Sequence, residues 1–177
     1  MNATEFAEAL VLCAPSINEL KQKELTLSEC EDIRKSFIPL LKSNAARSDL
    51  NPIADLAESY DVNKIEIGMV RFNDLKKVNG KLVFGKVEAD PLMINLETGE
   101  IEVEESGASG HIIFHCAIDA ASFLAAMITA ASFLGQCLWN PELSCDKDAA
   151  QSAASKCIVL AGGERYSTFY YTLLGAL

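Results

Sequence analysis

The stretch that decides the fold runs Ile65-Glu66-Ile67-Gly68-Met69-Val70-Arg71-Phe72, then Val78-Asn79-Gly80-Lys81-Leu82-Val83-Phe84-Gly85-Lys86-Val87-Glu88-Ala89-Asp90-Pro91-Leu92-Met93-Ile94-Asn95-Leu96-Glu97-Thr98-Gly99-Glu100-Ile101. The alternation places Ile65, Ile67 and Met69 on one side of a strand and Glu66, Gly68 and Val70 on the other. Asn79-Gly80 is a hairpin signal, since a two-residue turn of the favoured type needs positive φ at both central positions. It joins a short approach strand to Leu82-Val83-Phe84-Gly85-Lys86-Val87. Glu97-Thr98-Gly99-Glu100 is a second turn, between Pro91-Leu92-Met93-Ile94-Asn95-Leu96 and Ile101-Glu102-Val103-Glu104. The middle third is therefore expected to be an antiparallel meander.

Helical patterns flank it. Three helical segments open the sequence; in the second, Ser28-Glu29-Cys30-Glu31 has the spacing of a capping box. Ile33, Phe37 and Leu40-Leu41 follow on one side, and Pro39 bends or ends that helix. Asn51-Pro52 starts another short helix, with Ile53, Leu56 and Ala57 inward and an end near Tyr60-Asp61. Beyond the meander, 106–110 is a small-residue loop and His111-Ile112-Ile113-Phe114-His115-Cys116 one more strand. A last long helix begins around Cys145-Asp146 and runs toward Leu160. Gly162-Gly163 breaks it before a short aromatic helix through Tyr166, Phe169 and Tyr170.

From Ala120 to Asn140 no residue is charged, a length that meets the threshold for a membrane span. The pattern favours a buried helix. Phe123, Met127, Ala130, Leu134 and Leu138 mark one face, and Ser122, Ala125, Thr129, Ser132 and Gln136 mark a second, weakly polar stripe. Asp119 is placed to cap the amino end, and no basic cluster flanks either end. The expected fold is α+β: one domain over 1–177, a central, mainly antiparallel, twisted sheet of about five strands, packed by amino- and carboxy-terminal helices.

The formal charge of −10 repels a phosphate backbone, so no direct nucleic-acid binding is expected, while a basic partner is attracted. The six cysteines form no CxxC pair and are expected to be reduced thiols, pointing to the cytoplasm. Met1-Asn2-Ala3-Thr4-Glu5 carries the wrong charge for a secretory signal, and no membrane contact is expected.

No catalytic motif stands out. There is no GxSxG, GxxxxGK[ST] or strand-following GxGxxG. His111 and His115, four apart on a strand, point to the same face, yet no carboxylate spacing of a known metal motif accompanies them; neither a metal nor any other cofactor is expected. His115 and Cys116, as strand neighbours, face opposite ways, which separates base from thiol. Glu100, Glu102 and Glu104 alternate with Ile101 and Val103, an acidic row at intervals of about 7 Å, extended by Glu105 and Glu97. Such a row is either a solvated face that discourages edge pairing or a docking surface for basic side chains; Glu100, Glu102, Glu104 and Glu105 are the candidate partner-binding residues.

Residues 65–72 and 83–101, quoted above, together with Ala121-Ser122-Phe123-Leu124, resemble the central sheet and following helix of the SUKH superfamily over roughly residues 50 to 135. Ile38-Pro39-Leu40 is a loose analogue of that family's Leu-Pro-aromatic motif. The resemblance implies a non-catalytic protein-binding domain, of the kind that acts as a bacterial immunity protein by binding a toxin, often a basic nuclease. A regulatory or scaffold module of the same fold is the alternative it implies.

Overall fold

The computed structural model describes residues 1–43 and 51–177. The helices α1 (Ala3–Cys13), α2 (Ile17–Lys21) and α3 (Leu27–Lys35) lead to a strand β1 (Leu40–Leu41), a helix α4 (Pro52–Ser59) and a strand β2 (Tyr60–Asp61). The meander follows as β3 (Glu66–Ile67), β4 (Val70–Val78), β5 (Lys81–Val87), β6 (Asp90–Asn95), β7 (Ile101–Glu104) and β8 (Ile112–Ala117). The chain closes with α5 (Ala120–Trp139), α6 (Pro141–Ser144), α7 (Lys147–Ala161), a 3₁₀ turn (Glu164–Tyr166) and α8 (Ser167–Leu173).

Local chemistry sets the boundaries. Asn2/Glu5, Ser16/Glu19 and Thr26/Glu29 each close a reciprocal capping box, satisfying amide groups that the first helical turn leaves free. The cap of α3 is thus Thr26 and not Ser28: the Thr26 amide donates to the Glu29 carboxylate at 2.8 Å, and Thr26 Oγ1 accepts from the Glu29 amide. The helix stops at Lys35, so Leu40-Leu41 are not on its face but form exposed β1, paired antiparallel with β2. Asn51 caps α4, with Pro52 in the first turn and Ile53, Leu56 and Ala57 buried as the spacing implies.

The six strands β3 to β8 lie in sequence order in one antiparallel sheet. The expected single strand through Gly68 is instead two, which raises the expected five strands to six. Gly68 takes φ +58° and turns the chain between Ile67 and Val70, and a Cβ there would stand 2.9 Å from the Leu173 side chain. Asn79 and Gly80, at φ 48° and 75°, make the Val78–Lys81 hairpin.

One face of the sheet carries Phe72, Phe84, Leu92, Ile94, Ile101 and Val103, all buried. Phe72 meets Phe6 of α1 at a centroid distance of 5.8 Å, and Phe84 meets Phe123 of α5 edge-on at 5.7 Å. Phe114 of β8 stacks edge-on with Phe169 of α8, and Tyr170 donates a buried hydrogen bond to the Cys116 carbonyl at 2.9 Å. Helices from both ends of the chain therefore share this face.

Helix α5 is long and apolar enough to cross a membrane. Here it lies between α1 and α7 and touches α4, β3 and β8, with Phe123, Met127 and Ala130 buried. Its amino end is capped by Asp119, as expected. Leu138, at the far end of the apolar stripe, is half exposed, and Leu134 is partly buried. All six cysteines are free thiols.

Candidate functional site: an ionic cluster on the outer sheet face

Because strand residues alternate, the pairing that turns Ile101 and Val103 into the core sends Glu100, Glu102 and Glu104 to the opposite face. The row exists, but of the two readings the sequence allows it is not the solvated strand face: Glu102 is buried, and Glu100 and Glu104 are paired. Strand β7 is flanked by β6 and β8, and breaks in register beside Ile101 and Val103 curl it toward its neighbours. Glu102, opposite both Met93 and His115, is only 5% exposed.

Three cationic or titratable side chains lean over the row from elsewhere. Lys81 of β5 reaches across β6 to Glu104 at 2.5 Å and stands 3.7 Å from Glu102. Arg165, from the carboxy-terminal 3₁₀ turn, grips Glu100 through Nε at 2.6 Å and Nη2 at 3.2 Å. His115 places Nδ1 3.4 Å from Glu100 and 3.9 Å from Glu102, beside Arg165 Nη2 at 3.3 Å. Glu105 continues the row outside the cluster, half exposed and bonded to His111 at 2.8 Å.

The charges follow this geometry. The Lys81 ammonium and the Gly110 amide hold Glu104 below the usual glutamate range. At Glu100 burial pushes the carboxyl up, but hydrogen bonding from Arg165 and the nearby His115 outweigh it, and the carboxyl also ends low. Arg165 is pushed up in return by Glu100.

The histidines do not act as a pair. His111 lies before β8 and faces Glu105, while His115 joins Glu100 and Glu102, all three offering ligand atoms within 4.8 Å of one another. Cys116 points the other way, as expected; burial and the neighbouring Glu102 and Glu100 drive its thiol well above the ordinary value. It is unavailable as a nucleophile.

Alongside the cluster runs a groove of about 400 Å³, lined by Lys76, Val78, Lys81, Val83, Met93 and Glu104. A second, apolar pocket of about 440 Å³ lies between α3, β3 and α5, against Ile33, Phe37, Ile67 and Leu134. Sequence reasoning found the acidic row but missed its counter-charges. Lys81 was within reach, since the hairpin register puts it outward; Arg165 was not, as 65 residues separate it from Glu100. In comparisons with protein-family models, curated proteins and solved structures, nothing matched the chain.

Proposed function

We propose that this chain is a non-catalytic protein-binding domain that neutralises a cognate bacterial toxin by direct contact. The observation that carries the reading is the division of the sheet. Core aromatics and helices occupy one face, while the other presents a groove edged by charged side chains and open to solvent. Concave sheet faces with apolar floors and polar rims suit a protruding element of a partner. Val83 and Met93 supply the floor here, with Lys76, Lys81 and Glu104 at the rim.

The net charge of −10 favours encounter with a basic partner, such as a nuclease. Within the row, Glu105 and Glu97 are the exposed carboxylates and the first contacts for steering; Glu100, Glu102 and Glu104 are already engaged or buried, and act by fixing the shape of the face. The resemblance to SUKH proteins over 50 to 135 supports the same reading. A cytoplasmic location accords with six free thiols.

The test is co-expression with the product of the gene directly upstream, scored by cell viability and by pull-down. Rescue together with a stable complex supports the proposal. Toxicity that persists despite expression of folded protein removes it.

A further inference from the structure

Glu102 sits in an unusual position. Its side chain is 7% exposed, Oε2 is buried, and neither carboxylate oxygen accepts a hydrogen bond from the described residues. The closest cation, Lys81, stands off at 3.7 Å because it is committed to Glu104 at 2.5 Å. A buried carboxylate without donors is unfavourable unless a cation answers it. Arg165 does not: it is spent on Glu100 and His115.

We propose that Glu100, Glu102 and His115 form a binding site for one divalent transition-metal ion, with the Arg165 guanidinium as its built-in competitor. A ring nitrogen with two carboxylate oxygens is a donor set for ions of intermediate softness, such as zinc, manganese, iron(II) or cobalt(II), and a poor one for calcium. Around an ion bound at about 2.0–2.2 Å, neighbouring ligand atoms lie about 3.0–3.5 Å apart. His115 Nδ1 and Glu100 Oε1 are already separated by 3.4 Å, and Glu102 Oε1 at 3.9 Å needs only a small side-chain rotation.

The three ligands come from a rigid frame. Glu102 and His115 are cross-strand partners on β7 and β8, and Glu100 immediately precedes β7. Arg165 has a side chain 58% exposed, so it leaves toward solvent without opening the core. Lys81, held by Glu104, stays behind Glu102 as a fixed positive charge that orients its carboxylate. The ion would tie the turn before β7 to the edge strand β8 on the face proposed for docking.

Cobalt(II) is the probe, because its visible absorption reports nitrogen and oxygen ligation and separates it from thiolate binding, which absorbs in the near ultraviolet. The full chain carries Cys145→Ser, since Cys145 is the exposed thiol. One cobalt per chain is expected, without thiolate absorption. Glu102→Gln and His115→Gln each weaken binding by at least about tenfold, and Arg165→Met tightens it. Circular dichroism confirms that each variant is folded, and Arg165→Met guards against a loss caused by misfolding, since it must gain affinity. Absence of a saturable visible band, uptake that survives both ligand substitutions, or weaker binding in Arg165→Met would each overturn the site.

Discussion

Arg165 and Glu100, 65 residues apart, form a two-pronged ion pair that fastens the carboxy-terminal 3₁₀ turn to the residue entering β7. One carboxylate further along, Glu102 receives no such partner. This contrast between neighbours on one face organises most of what the cluster is expected to do.

Removing the Glu102 charge should therefore not weaken the apo protein. Glu102→Gln keeps the volume, lifts the burden of a buried anion without donors, and leaves Lys81 with Glu104. In the presence of a chelator, its urea midpoint is expected to equal or exceed that of the parent. A loss of more than about 2 kcal/mol would show that Lys81 at 3.7 Å sustains Glu102 after all.

Acid should act through Glu100 and Glu104. Both carboxyls titrate below the ordinary 4.5 in the folded chain, so the unfolded chain binds more protons at low pH. Their contribution is present above the unfolded value and is lost as pH falls through the folded ones. Urea midpoints should drop below pH 4.5, and Glu104→Gln should flatten that drop. A variant profile that coincides with the parent's would contradict the assignment to Glu104.

The Tyr170 hydroxyl is fully buried and donates to the Cys116 carbonyl at 2.9 Å. Tyr170→Phe keeps the ring against Phe169 but strands that carbonyl, a cost of about 1–3 kcal/mol. Denaturant unfolding of the variant measures it directly, and an unchanged midpoint would mean the bond contributes nothing.

Thiol labelling offers a check on packing. Cys116 and Cys157 are buried, and desolvation lifts Cys157 to about 12 and Cys116 well above its ordinary value. Native protein at mildly alkaline pH should react first at exposed Cys145, more slowly at half-buried Cys13 and Cys137, and at the remaining three only after unfolding. Prompt labelling of Cys157 would place α7 away from α5, where its thiol now donates to the Ala126 carbonyl.

Much of the fold was legible because its signals are local. Asn79-Gly80 and Thr98-Gly99 declare turns, Asp119 and Asn51 declare helix starts, and strand alternation assigns the two faces. Errors arose where a local signal had a rival. Thr26, boxed with Glu29, starts α3 ahead of the Ser28–Glu31 spacing, and Gly68 broke a strand that its neighbours would have continued. The acidic row was legible as a row and not as a buried cluster, because Lys81 and Arg165 arrive through tertiary pairing, at sequence separations of 23 and 65.

The central claim is neutralisation by occupancy, and a titration of toxin activity tests it most directly. Purified toxin is assayed on its own substrate with rising amounts of this chain. Tight binding without turnover predicts a straight fall to zero activity at one chain per toxin, unaffected by longer preincubation. Inactivation that deepens with time at far lower ratios would reveal a catalyst, and undiminished activity at excess would leave no toxin-neutralising role.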